Sequence, residues 1–385
     1  MQKGRTHIVF AITKGTWGGA QRYVFTLASH FGGRKNQISV VLGEWGLLAN
    51  QLQEKNIRVE TIGGLERDIR SSEYRVFTKI YQVLKTLRPD VLHANSAKMA
   101  GLGALAGRML GVSRIIVTVH GWTFLEDRPR WQKIIIWFFS WITSLLAHKT
   151  IVITKCDFVI GKQMPFVGKK IHYIPIGVNP ELYLPFLDRE GARKELQTII
   201  NQRYGAEITA LSDEVWIGAN GELTKNKDYE TLLEAAANVK GMFKLIIIGD
   251  GEEQEILTHI VDQLKLNQRV FFAGFVPDAA RLIRAFNIFS MSSIKEGLPY
   301  AILEAGLAGV PVVATKVGGI PDIIRSGENG ILTNPKDPKS FASAIDKLLE
   351  DSSLREKYGA ALYETVARDF SLQTMLEKTR AVYGL

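Results

Sequence analysis

Glu296-Gly297-Leu298-Pro299-Tyr300-Ala301-Ile302-Leu303-Glu304 places two carboxylates at the ends of an otherwise uncharged run. An apolar strand candidate at residues 288–290 precedes it, and another at 310–314 follows. Pro299 fits the first turn of a helix, where its missing N–H costs nothing. Glu296 then stands just before that helix, and Glu304 lies about a turn and a half inside it. The whole reads as strand, loop, helix, strand, the repeating unit of a parallel α/β sheet.

The same alternation extends in both directions. In the first half, apolar β-branched runs fall at 7–12, 38–42, 91–93, 114–119 and 150–153; in the second they fall at 215–218, 243–248, 270–273, 288–290 and 310–314. Their continuous hydrophobicity implies parallel sheets covered on both faces. Two such sets imply two doubly wound domains. Pro175, Pro180 and Pro185 mark the boundary near residues 174–185, because proline breaks regular structure.

Composition bounds the function classes. The 385 residues are 46% apolar and 23% charged, which excludes a disordered chain, a fibrous repeat and a disulfide scaffold. Cys156 is the only cysteine, so no intrachain disulfide forms and a reducing compartment is expected. Residues 8–12 are too short for a signal-peptide core. Net charge is +9 but uneven. Residues 1–180 hold 25 Lys and Arg against 10 Asp and Glu, a net +15; residues 181–385 hold 23 against 29, a net −6. A basic half suits nucleic acid, anionic lipid or a phosphorylated substrate, or is simply a soluble surface.

Several residues have chemistry to offer. The helix start after Glu296 presents the N–H groups of Leu298 and Tyr300 to an anion. A carboxylate inside the apolar run 300–308 needs a partner. Together these suit a sugar nucleotide: the helix end holds a diphosphate, and the carboxylates accept from sugar and ribose hydroxyls. Lys14-Gly15-Thr16-Trp17-Gly18-Gly19-Ala20 follows the first strand and lacks the spacing of a Walker A loop. It is either a ligand-binding turn or a plain βα turn. Gly101, Gly103 and Gly107 sit within a helical pattern and read as close packing rather than a dinucleotide loop. His120 ends a strand, where ligands of open sheets collect, and is able to donate to a phosphate or sugar hydroxyl. His93 with Ser96 and Lys98 suggests a polar, phosphate-friendly face. Residues 134–147 are uncharged, too short to cross a bilayer, and preceded by Arg128, Arg130, Trp131 and Lys133. They form either a buried helix or one whose aromatic and basic end meets a membrane interface.

The E-x7-E string, Gly309-Val-Pro-Val-Val-Ala-Thr315 and Val317-Gly-Gly-Ile-Pro-Asp322 together resemble glycosyltransferase family 4, retaining enzymes of the GT-B fold. The likeness spans nearly the whole chain. Gly18-Gly19-Ala20 resembles the family's N-terminal glycine loop and His120-Gly121 its active-site histidine. Residues 246–251, 274–276 and 330–332 are similar to later family segments. One position departs. The family's Gly-Arg-Leu-x-x-x-Lys is here Gly221-Glu222-Leu223-Thr224-Lys225-Asn226-Lys227, so Glu222 replaces the arginine. Glu222 must point away or pair with Lys225 or Lys227, or else Lys225 supplies the missing charge.

The resemblance implies an α/β chain of two Rossmann-like doubly wound domains facing a central cleft. Residues 1–176 bind the acceptor and 177–370 the nucleotide-sugar donor, and a C-terminal helix, 371–385, crosses back to the first domain. It implies a metal-independent retaining glycosyltransferase without a cofactor, since no Asp-x-Asp pair occurs. A UDP-sugar is the first donor candidate, with GDP- or ADP-sugar as alternatives. Val276 would meet the base, Glu304 the ribose, and Lys227, Gly297 and Leu298 the diphosphate. Gly18 and Gly19 complete the donor loop, and Glu296 and His120 are the catalytic pair. The basic half and Arg128, Arg130, Trp131 and Lys133 point to a lipid-linked or glycan acceptor. They also point to a cytoplasmic enzyme peripheral on an anionic inner membrane. A sugar-nucleotide epimerase of the same architecture is the rival. A nucleic-acid-binding protein leaves E-x7-E without a role.

Overall fold

A computed structural model of the chain describes residues 5–33, 36–63, 73–182, 186–204 and 214–385. Residues 1–4 and Pro185 lie outside the described residues. The chain forms two compact units, Met1–Ile176 with Gln373–Leu385, and Gly177–Leu372.

The first unit is built on β1 (Thr6–Ile12), β2 (Asn36–Leu42), β3 (Arg58–Thr61), β4 (Val91–Asn95), β5 (Arg114–Val119), β6 (Lys149–Val152) and β7 (Ile171–Tyr173). All pair in parallel in the order β3-β2-β1-β4-β5-β6-β7. The middle of β1 is an unbroken apolar run: Ile8, Val9 and Phe10 have no exposed surface. The second unit uses β8 (Val215–Asn220), β9 (Phe243–Ile248), β10 (Val270–Gly274), β11 (Ile288–Met291), β12 (Val312–Thr315) and β13 (Ile331–Thr333). Its order, β10-β9-β8-β11-β12-β13, repeats the first six of the other sheet. In each sheet the winding direction reverses between the first and fourth strands of the unit. That reversal opens a crevice at their carboxyl ends.

The expected strands are present, with shifted ends. Beyond them the structure holds β3 and β7, an edge strand on each side of the first sheet, and β13 at the edge of the second. The strand expected at 310–314 begins at Val312, because Val310 N–H donates to Ala305 O and finishes the preceding helix. Gly107 lies in the helix Ala97–Met109, where a Cβ would stand 3.1 Å from Ile115, so close packing explains this glycine.

The last helix, Leu372–Tyr383, joins the first unit. Tyr383 is buried, with its hydroxyl 2.5 Å from His93 Nδ1, and its ring packs on Phe31. The chain leaves and re-enters the first unit at residues flanking one parallel bridge, Val178 with Ser371.

The uncharged stretch forms the helix Arg130–Leu146. One side packs Trp137, Trp141 and Leu145 against Trp122, Met164 and Val167. Its carboxyl end is held by cations: Lys170 Nζ donates to the carbonyls of Leu145 (2.6 Å) and Ala147 (2.9 Å), and Arg108 to that of Leu146. Positive side chains favour that end of the helix dipole. The other side is apolar and open. Trp131 is 62% exposed and Ile134 67%, with Ile135, Phe138 and Phe139 beside them. The fully buried reading of this stretch is thereby corrected. Trp137 and Trp141 belong to the packed side, and Trp131 to the open one.

Candidate functional site

The second unit's switch point lies between β8 and β11. After β8 the chain turns through Lys225–Lys227; after β11 it runs through Ser292 and Ser293 to the helix Tyr300–Leu307. Backbone and side chain tie the two loops: Ile294 N–H donates to Asn226 O, and Ser292 Oγ to Lys227 O. This brings Lys227 Nζ to 2.6 Å from Glu296 Oε1, which also accepts from Ser293 Oγ at 2.7 Å. The pair is mostly shielded, so it attracts more strongly than an ion pair in bulk water. Tyr229 donates to Gly221 O nearby; burial, and then Glu296, push its phenol well up, so it remains a donor.

The Val317-Gly318-Gly319 motif supports this loop from beneath. Gly319 N–H donates to Gly297 O at 2.7 Å. Gly318 has φ 53°, and a Cβ there would come within 1.9 Å of Glu296 O. Only glycine meets both demands.

Pro299 is the residue that caps the helix, one place before the expected first turn. Leu298 and Tyr300 flank it at the helix start. Glu304 is 3% exposed, so it is a buried carboxylate rather than a solvated helix residue. Val276 follows β10 on the same sheet edge. The turn before it is pinned by Phe275 N–H donating to Asp250 Oδ2 at 2.8 Å. The Glu222 side chain is exposed and makes neither a hydrogen bond nor an ion pair among the described residues. Of the alternatives for Glu222, pairing with Lys225 or Lys227 does not occur; Lys227 is engaged by Glu296.

The first unit has its own switch point, between β1 and β4. Thr13 and Ser96 join the two loops through hydroxyls 2.5 Å apart. Gly18 precedes the helix Gly19–Phe31 in an extended conformation, and a Cβ there would meet only the side chain of Gln21. Gly121, at φ 124°, turns the chain after His120 in a conformation that disfavours side chains. His120 Nε2 lies 3.1 Å from Asn95 Oδ1, with the ring edge-on to Tyr23 at 5.2 Å. Burial lowers its pKa to about 4, so the ring is neutral at pH 7. Its expected donor role meets competition, because Nε2 already faces Asn95 Oδ1.

His93 is corrected outright. It is wholly buried, its nitrogens facing Tyr383 and Thr118 Oγ1 (2.6 Å), and burial drives its pKa to about 3. It is a structural tie, not part of an open phosphate-binding face. Asn95, Tyr23 and Ser293 were missed by sequence reading. Only the strand pairing Asn95 with Thr118, two residues before His120, places Asn95 beside that ring.

Arg128 is paired with Glu126 at 2.8 Å, whereas Arg130 and Trp131 open onto solvent at the start of the apolar helix. Among the described residues no group of three or more His, Cys, Asp or Glu is arranged to hold a metal. Among the same residues no helix is long and apolar enough to cross a membrane.

Residues 17–182 match the family described as Glycosyltransferase Family 4, and residues 206–365 that described as Glycosyl transferases group 1. The capsular polysaccharide biosynthesis glycosyltransferase CapM of Staphylococcus aureus is 32% identical over 341 residues, covering 87% of each chain. The UDP-Gal:alpha-D-GlcNAc-diphosphoundecaprenol alpha-1,3-galactosyltransferase of Escherichia coli is 25% identical over 323 residues, 82% of this chain and 81% of that one. Among solved structures, Anabaena Alr3699/HepE in complex with UDP and glucose superposes with a TM-score of 0.83 at 22% identity, over 99% of this chain and 100% of the other. With E-x7-E at the switch point of a doubly wound sheet and a relative this similar along its length, the chain belongs to the GT-B glycosyltransferases related to family 4 and group 1.

Proposed function

We propose that the chain is a retaining family 4 glycosyltransferase. It moves a sugar from a nucleotide-sugar donor, first a UDP-sugar, to a lipid-linked or membrane-associated acceptor in envelope polysaccharide or glycolipid assembly. The second unit takes the donor and the first the acceptor. The observation that carries this reading is the 2.6 Å Lys227–Glu296 pair beside a helix start at the second unit's switch point. A leaving diphosphate develops negative charge, which Lys227 and the Leu298 N–H are placed to neutralise. Glu296 then faces the cationic character that grows on the transferred sugar. Glu304 takes the ribose, Val276 the base, and Gly18 and Gly19 the donor's remaining groups, while His120 and Glu296 are the catalytic pair. Attack comes on the face the diphosphate leaves, through a short-lived oxocarbenium ion. Lys227 does the work of a divalent cation, so turnover survives EDTA.

The E. coli and S. aureus relatives, by their names, act on a diphosphoundecaprenol-linked sugar and in capsular polysaccharide synthesis, which supports a UDP donor and a membrane acceptor. The open face of Trp131, Ile134, Phe138 and Phe139 adds an apolar surface beside Arg130 and Lys133. Such a face lies in the interfacial layer of an anionic inner membrane. A thermal-shift comparison of UDP-, GDP- and ADP-sugars tests the donor, since a bound ligand raises the melting point by mass action. No shift with any of the three overturns the reading. For the membrane, cosedimentation with phosphatidylglycerol vesicles should weaken with salt. It should vanish when Trp131, Ile134 and Phe139 become Ser.

A further inference from the structure

The surroundings of His120 fix more than its position. Asn95 ends β4 with no exposed surface. Its Nδ2 donates to His93 O at 3.3 Å, and only the N–H side of an amide is able to do this. The amide is therefore oriented, and Oδ1 is the atom facing His120 Nε2 at 3.1 Å. An amide oxygen carries no proton, so Nε2 must supply it. A neutral imidazole has one proton, and Nδ1 is then a bare acceptor.

We propose that Asn95 is a positioning residue that holds His120 as the Nε2–H tautomer, so that Nδ1 meets the substrate as an acceptor and reads a sugar hydroxyl. This rests on the assignment of His120 to the reaction. A phosphate or carboxylate offers only acceptors and finds no partner at Nδ1. A hydroxyl or an amide N–H does. Tyr23, from the helix Gly19–Phe31, stands edge-on to the ring and limits its reorientation. His93, in β4, is the other titratable group facing it, and is neutral above about pH 3. Among the described residues no carboxylate contacts the ring, and burial keeps it neutral down to about pH 4.

The test reads the ring directly. In protein labelled with 15N-histidine, long-range proton–nitrogen spectra report which nitrogen is protonated, and His120→Gln identifies the signals. At pH 7 the parent protein should show Nε2–H and a bare Nδ1. Asn95→Ala should show a mixture of tautomers and lower kcat for UDP release from UDP-glucose about tenfold, with KM little changed. Asn95→Asp puts a carboxylate beside Nε2 and raises the ring's pKa. Its kcat should therefore fall as pH drops below about 7, where the parent's stays flat. A parent ring protonated on Nδ1 overturns the proposal. So does an Asn95→Ala protein, folded by thermal melt, that keeps the parent tautomer. If no UDP-, GDP- or ADP-sugar raises the parent's melting point, the donor reading falls, while the ring spectra still decide this one.

Discussion

In the first unit the loops leaving β1 and β4 are joined by two hydroxyls, and the residues beside them, Asn95, His120 and Tyr23, are uncharged. In the second unit the loops leaving β8 and β11 are joined by an ion pair. Strand order is the same at both places, so topology supplies the crevice and side chains supply its chemistry. A charged clamp suits a group whose charge changes during reaction. A neutral, oriented one suits hydroxyls, which must be told apart by donor and acceptor pattern. Fold alone does not assign these roles.

The sharpest way to break the comparison is to remove the charge. Lys227→Ala should lower kcat about 100- to 1000-fold, the scale of losing one preorganised stabiliser of transition-state charge. Steady-state kinetics that show only a KM effect would reduce Lys227 to ground-state binding.

Acid separates the two units next. Unfolded, a histidine takes up its proton near 6.5; folded, His120 does so near 4 and His93 near 3. The stabilisation is complete above pH 6.5 and is lost as pH falls toward these folded values. For fully buried His93 the loss is about 1.4 kcal/mol per pH unit. No histidine sits at the second switch point among the described residues. Between pH 7 and 5, hydrogen-exchange protection factors, taken relative to the slower intrinsic exchange in acid, should fall in β4 and β5 while those of β8 and β11 hold. An equal fall in both sheets would contradict this.

Gly318→Ala tests whether the charged clamp depends on its backbone support. The strained φ and the collision with Glu296 O should cost about 1–3 kcal/mol, read as a lower denaturation midpoint, with turnover falling alongside. The smallest effect is expected from Glu222→Arg. An exposed charge contributes about 0.2–1 kcal/mol, so UDP should bind up to about fivefold tighter by calorimetry. Weaker binding would mean that Glu222 does more than point away.

Much of this was legible in the sequence. The central strands declared themselves because burial on both faces leaves short, mostly apolar runs. β3, with Arg58 and Glu60, and the three-residue β7 did not, because edge strands are short and half exposed. The E-x7-E string fixed the helix after β11, but not that Lys227 would meet Glu296 rather than Glu222. That choice depends on how two loops are tied. Asn95 was invisible for a similar reason: its role follows from the register of β4 on β5, which no local pattern carries. The helix Arg130–Leu146 read ambiguously because both its faces are apolar, and only packing shows which one is covered.

The tie between Tyr383 and His93 joins residues 290 apart in the chain. On a ribosome adding roughly 5–20 residues per second, that interval is about 15–60 s. Throughout it β4 waits with a buried histidine lacking one partner, while the whole of the second unit, continuous from Gly177 to Leu372, is made and free to fold. The unit synthesised first is therefore completed last, and it is the one whose nascent form exposes unfinished core to chaperones.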